Sequence, residues 1–167
     1  MPPKPRISRA QVLAMLRQGK KPAQIAKELG VSRQAINHHR RTMDVKTPLQ
    51  VAQESIPWKN VDPEHKKSSV WARIVNHAEF LATGGRGMSE RKLELLEAWY
   101  RNLEDLDVVV EYDPSEPPKP KARFGGWKYV PREDRDGSLL LRVNAHVEMT
   151  DAAYDLWRIP ERRPEVA

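Results

Sequence analysis

The chain has 167 residues, 39% apolar and 31% charged, with 14 Pro, no Cys and a formal net charge of +6. That length holds one medium domain or two small ones. The lack of Cys excludes a disulfide framework and a thiolate metal site and fits a reducing cytoplasm, while no apolar run approaches the ~20 residues that cross a bilayer. The charge is unevenly placed. Residues 1–46 carry eleven Lys or Arg against two acidic residues, a net of +9, which leaves residues 47–167 at −3. A basic module joined to a near-neutral one is what a polyanion binder shows.

Residues 1–7 hold three Pro and read as an arm; its Lys4 and Arg6 either touch phosphates or a minor groove, or have no role. Ser8 opens a first helix through about Gln18, with Val12, Leu13 and Leu16 inward and Gly19 closing it. Pro22 to Arg41 then reads as two short helices around a tight corner. Gly30 supplies the left-handed exit from the first, Val31 points inward, and the Ser32 hydroxyl caps the second. Ile25, Ala26, Leu29, Val31 and Ile36 fall on the buried side. Arg33, Gln34, Asn37, His38 and Arg41 remain outward, a set suited to base edges and phosphates, with no acidic residue among them. This spacing predicts a helix-turn-helix whose second helix enters a major groove.

From Thr42 the composition changes. Thr47-Pro48 opens a connecting helix within a linker over 47–61, stopped by Pro57. Asp62-Pro63 predicts a longer helix to about Ala82, with Val70, Trp71, Ile74, Ala78 and Leu81 inward and Lys66 and Lys67 early in it. Thr83 to Gly87 breaks that helix; with Arg86 inside it, the turn either holds a backbone phosphate or simply joins two helices. Ser89 caps a helix to about Leu106. Val108–Tyr112, Trp127–Val130 and Leu139–Val143 read as strands, the last two joined by a turn at Asp136-Gly137. The basic loop 117–123, with Lys119, Lys121 and Arg123, is either wing-like or merely solvated. Thr150 caps a last helix, and residues 161–167 read as an unstructured tail. The expected fold is mainly α with a small antiparallel β-sheet (α+β): a DNA-binding domain over 1–46, the linker, and a second α+β domain over 62–160.

No catalytic constellation emerges. The His residues lack metal-ligand spacing, so His77 and His146 read as buried or half-buried structural groups, and neither a nucleophile motif nor a nucleotide-binding loop occurs. Non-catalytic binding without cofactor or metal is the expectation.

Several longer stretches are narrower signals. Val31-Ser32-Arg33-Gln34-Ala35-Ile36, Pro57-Trp58, His77-Ala78-Glu79-Phe80, Met88-Ser89-Glu90, Val109 to Ser115, Gly125 to Arg132 and Leu140 to Asn144 together resemble the immunity repressors of cluster A mycobacteriophages. The resemblance implies a repressor in the host cytoplasm, on the nucleoid, that maintains lysogeny. It would bind double-stranded DNA at repeated, short, asymmetric sites as a monomer, away from any membrane. It also implies that Ser32, Arg33, Gln34, Asn37 and His38 face bases and that Arg40 and Arg41 take phosphates, with Lys66, Lys67, Arg86 and Arg123 contacting DNA from the second domain. The chain lacks an Ala-Gly self-cleavage dipeptide. The competing reading is a packaging adaptor of the small-terminase type, which places a similar motif before helices but assembles as a ring.

Overall fold

The computed structural model describes residues 7–43 and 48–166, in two compact units, Met1–Val51 and Ala52–Ala167. Lys4 and Arg6 lie outside the described residues. In the first unit, α1 (Arg9–Arg17), α2 (Pro22–Leu29) and α3 (Arg33–Thr42) enclose Val12, Leu16, Ile25, Ala26 and Ile36. Leu13, expected inward, is only half-buried.

The segment expected as a linker is not a separate spacer. After α4 (Pro48–Glu54), the residues Ile56, Trp58 and Val61 join Ala52 in the core of the second unit. Burying an Ile or Val side chain gains roughly 1.5–3 kcal/mol, more than an exposed tether would offer.

The second unit continues with α5 (Ser69–Thr83), α6 (Glu90–Asp105), β1 (Val108–Tyr112), β2 (Trp127–Pro131) and α7 (Asp151–Leu156). The helix expected from Pro63 starts later. The Asp62 carboxylate does accept the Glu64 N–H, at 2.8 Å, but it opens only the 3-10 turn His65–Lys67; the Ser68 hydroxyl then accepts the Trp71 N–H at 3.1 Å and caps α5. Ser89 and Thr150 cap α6 and α7 as their sequences predict, accepting from Lys92 N–H at 3.2 Å and Ala153 N–H at 3.1 Å.

The sheet is two-stranded and antiparallel, with Val108 opposite Pro131 and Tyr112 opposite Trp127. The third strand expected at 139–143 does not form a hairpin with β2. That segment reaches the other edge of β1 and runs parallel to it for a single bridge, Val110 to Leu141. There Val110 N–H donates to Leu140 O at 2.9 Å, and Arg142 N–H to Val110 O at 2.8 Å. A buried ion pair accompanies this arrangement: Arg142 Nε and Nη2 each reach an Asp136 carboxylate oxygen at 2.8 Å.

Aromatic rings fill the interior. Trp58 meets Trp127 and Trp157 edge-on, with centroids 5.3 and 5.6 Å away. Gly126 adopts φ +80°, and a Cβ there would lie 2.5 Å from His65 Nδ1, so the ring of His65 seats directly on the glycine. The tail is also tied down. Arg163 binds Glu97 at 2.9 Å and Glu104 at 3.0 Å, lies over the Tyr100 ring, and precedes a buried Pro164. A guanidinium that satisfies two carboxylates and one ring holds a segment that composition alone reads as free.

Of the two histidines expected inside, His146 is exposed and His77 is fully buried. The Leu156 carbonyl, 2.9 Å away, can only accept, so Nε2 of His77 carries the proton and Nδ1 accepts from the Tyr100 hydroxyl at 2.5 Å. Burial, opposed by the Leu156 carbonyl, lowers the His77 pKa to about 4. Because the unfolded ring titrates near 6.5, His77 stabilises the fold fully above that pH and progressively less as pH falls toward 4. The loss is on the order of 3 kcal/mol. Urea unfolding at pH 7 and pH 4.5 should show this slope, and His77→Gln, which cannot titrate, should flatten it.

Candidate nucleic-acid interface

The corner between α2 and α3 is set by Gly30, at φ 65° and ψ 34°, a left-handed conformation that costs other L residues roughly 1–2 kcal/mol. Val31 N–H then donates to Ala26 O at 3.0 Å, and the Ser32 hydroxyl accepts the Ala35 N–H at 3.1 Å. Ala26 is buried where the helices meet, and Ile36 anchors α3 to the core. These contacts fix which face of α3 looks outward.

That face carries Ser32, Arg33, Gln34, His38 and Arg41, all exposed, with Asn37 half-buried beside them. Positions 33, 34, 37, 38 and 41 are three or four apart and therefore line one side of the helix. Among the described residues, the side chains of Arg33, Gln34, Asn37 and Arg41 make no hydrogen bond or ion pair, and no described carboxylate neutralises the two arginines. Their donors are left for an outside acceptor. His39, Arg40 and Arg41 crowd the last turn of α3. Arg40 differs from Arg41: its Nη1 donates to Gln50 of α4 at 3.2 Å, so its guanidinium is steered from within the unit. Gln50 was not singled out from sequence, since a contact ten residues away has no periodic signal.

The cations expected in the second unit are not gathered in one place. Lys67 and Arg123 line one cleft at the start of α5. Lys66, in the adjoining 3-10 turn, holds its ammonium 5.4 Å from the Trp71 ring centroid. Arg86 follows the far end of α5, about 22 Å along a helix that rises ~1.5 Å per residue. In its turn, the N–H groups of Gly85, Arg86 and Met88 already bond to Thr83 Oγ1, Thr83 O and Gly85 O. They are not available as an anion cradle. Sequence reasoning did not select Phe124 or Tyr129, which line the cleft with Arg123; the two-residue strand spacing of Trp127 and Tyr129 was the available signal.

No described helix is long and apolar enough to cross a membrane. Residues 9–65 match the winged helix-turn-helix family model. Those residues hold α1 to α4 and end as the 3-10 turn begins, with no strand among the described ones, so the helical corner carries the likeness. Over 91% of its length the chain is 37% identical to a repressor-like immunity protein of Mycobacterium phage L5, covering 84% of that protein. A match of that extent reaches both units, and with the helix-turn-helix it places the chain among the mycobacteriophage immunity repressors, DNA-binding regulators and not enzymes.

Proposed function

We infer that the chain maintains lysogeny and superinfection immunity by binding short, asymmetric, repeated DNA sites as a monomer and blocking transcription from them, within the host cytoplasm. The observation that carries this reading is the outward face of α3, whose Arg33, Gln34 and Asn37 hold side-chain hydrogen-bonding capacity that no described residue uses. Ser32, Arg33, Gln34, Asn37 and His38 read base edges, and Arg40 and Arg41 hold phosphates. Lys4 and Arg6 of the N-terminal arm add phosphate contacts. From the second unit, Lys66, Lys67, Arg86 and Arg123 supply further contacts to the backbone.

Two unlike units favour an unsymmetrical site, whereas a symmetric dimer imposes a palindrome on its operator. Sedimentation of the protein with one asymmetric duplex should give one chain per duplex at saturation. Two chains per duplex would contradict the monomer, and a ring in free solution would favour the packaging adaptor.

A further inference from the structure

We propose that the open cleft between the start of α5 and the loop entering β2 is a stacking site for an unpaired DNA strand. The cleft holds about 770 Å³, within the range of roughly 300–1,000 Å³ typical of ligand sites. Two of its walls are aromatic. Phe124 and Tyr129 leave 36% and 47% of their surface in water, an unfavourable placement for rings. The Tyr129 ring is held in place, because its hydroxyl accepts the Trp99 indole N–H at 2.9 Å.

The rim is cationic. Lys121 and Arg123 line the cleft, are exposed, and have no ion-pair partner among the described residues. Lys67, Lys119 and Lys128 line it too, but each is engaged by a carboxylate, from Glu64, Glu116 and Glu111 respectively. No carboxylate is itself part of the lining. Ser68, Ser69 and Val70, at the start of α5, also line the cleft.

Duplex phosphates would occupy the cations and leave the rings wet. Only a base outside its stack brings an apolar face and a phosphate together, and rings beside unpaired cations are the means by which single strands are held without sequence preference. An unpaired strand therefore fits the charge and the rings at once. Such a grip works where strands separate, and it is independent of base reading by α3.

The test is fluorescence anisotropy of a labelled oligodeoxythymidylate titrated with the full chain. The parent protein should bind it. Phe124→Leu, which keeps apolar volume but removes the ring, and Phe124→Ala should each weaken binding about tenfold. Both should leave affinity for a duplex operator unchanged, and an unaltered urea midpoint will show that the fold persists. Arg123→Ala should weaken oligonucleotide binding and lower its salt slope by about 1. Arg33→Ala should not affect it. The proposal is overturned if both Phe124 variants bind the oligonucleotide like the parent. It is equally overturned if Arg33→Ala abolishes that binding, or if thymidine monophosphate competes as strongly as the strand.

Discussion

Asp136→Ala is expected to destabilise the second unit by about 3 kcal/mol, because the buried Arg142 guanidinium loses its bidentate partner and keeps only the longer contacts to Glu133 at 3.6 Å and Glu111 at 3.8 Å. Asp136 and Arg142 are only 3% and 5% exposed, and their bidentate contact is reinforced by Glu133 N–H donating to Asp136 and by Arg142 Nη2 donating to Pro131 O, each at 2.8 Å. Burial pushes the Asp136 pKa up, but the hydrogen bond from Arg142 and the backbone N–H of Glu133 outweigh it and hold the carboxyl below its ordinary range. The carboxylate form is thus the stabilising one, fully so above the unfolded pKa and lost as pH falls through the folded value. All five Trp lie in the second unit, so indole fluorescence in urea reports this unit selectively. A second variant separates pairing from packing: Asp136→Leu combined with Arg142→Met should cost much less than the single change, because no charge is stranded.

Changing Arg33 and Gln34 to Ala is expected to cost ~1–3 kcal/mol each on the specific site, and on the order of 2–6 kcal/mol together. Both side chains are exposed in the first turn of α3 and are not needed by the core, so the fold should survive their loss. Affinity for unrelated duplex should fall far less for Gln34→Ala, which removes no charge, than affinity for the operator. Arg41→Ala should instead weaken both, since a phosphate contact carries no sequence information. Binding assays on operator and scrambled duplex at one fixed salt concentration distinguish these patterns.

What was legible in the sequence was local. The Gly30 corner and the caps at Ser32, Ser89 and Thr150 depend on residues within one turn, and each formed as its spacing implies. Before α5 two local signals both formed: Asp62 opens a short 3-10 turn and Ser68 caps the helix, which begins at Ser69 rather than Pro63. Long-range contacts gave no such signal. Trp157 Nε1 donates to Ser55 O across 102 residues, and Ala52, Ile56, Trp58 and Val61 lie in a core where the sequence suggested a linker helix. Arg163 finds Glu97 across 66 residues, and Leu141 of the presumed hairpin strand bridges to Val110 at the opposite edge of β1. The outward residues of α3 were legible because helical periodicity settles which side the core consumes. The cleft was not, since Lys67 and Arg123 come together only through tertiary packing.

Chemical footprinting of guanine N7 on the phage operator, with the parent and with Arg33→Ala/Gln34→Ala, bears most directly on the docking of α3. The parent should shield a short block of major-groove positions, and the double variant should lose that shielding at concentrations where it still coats unrelated DNA. Identical shielding by both proteins would mean that the helix Ser32 begins does not lie in the groove.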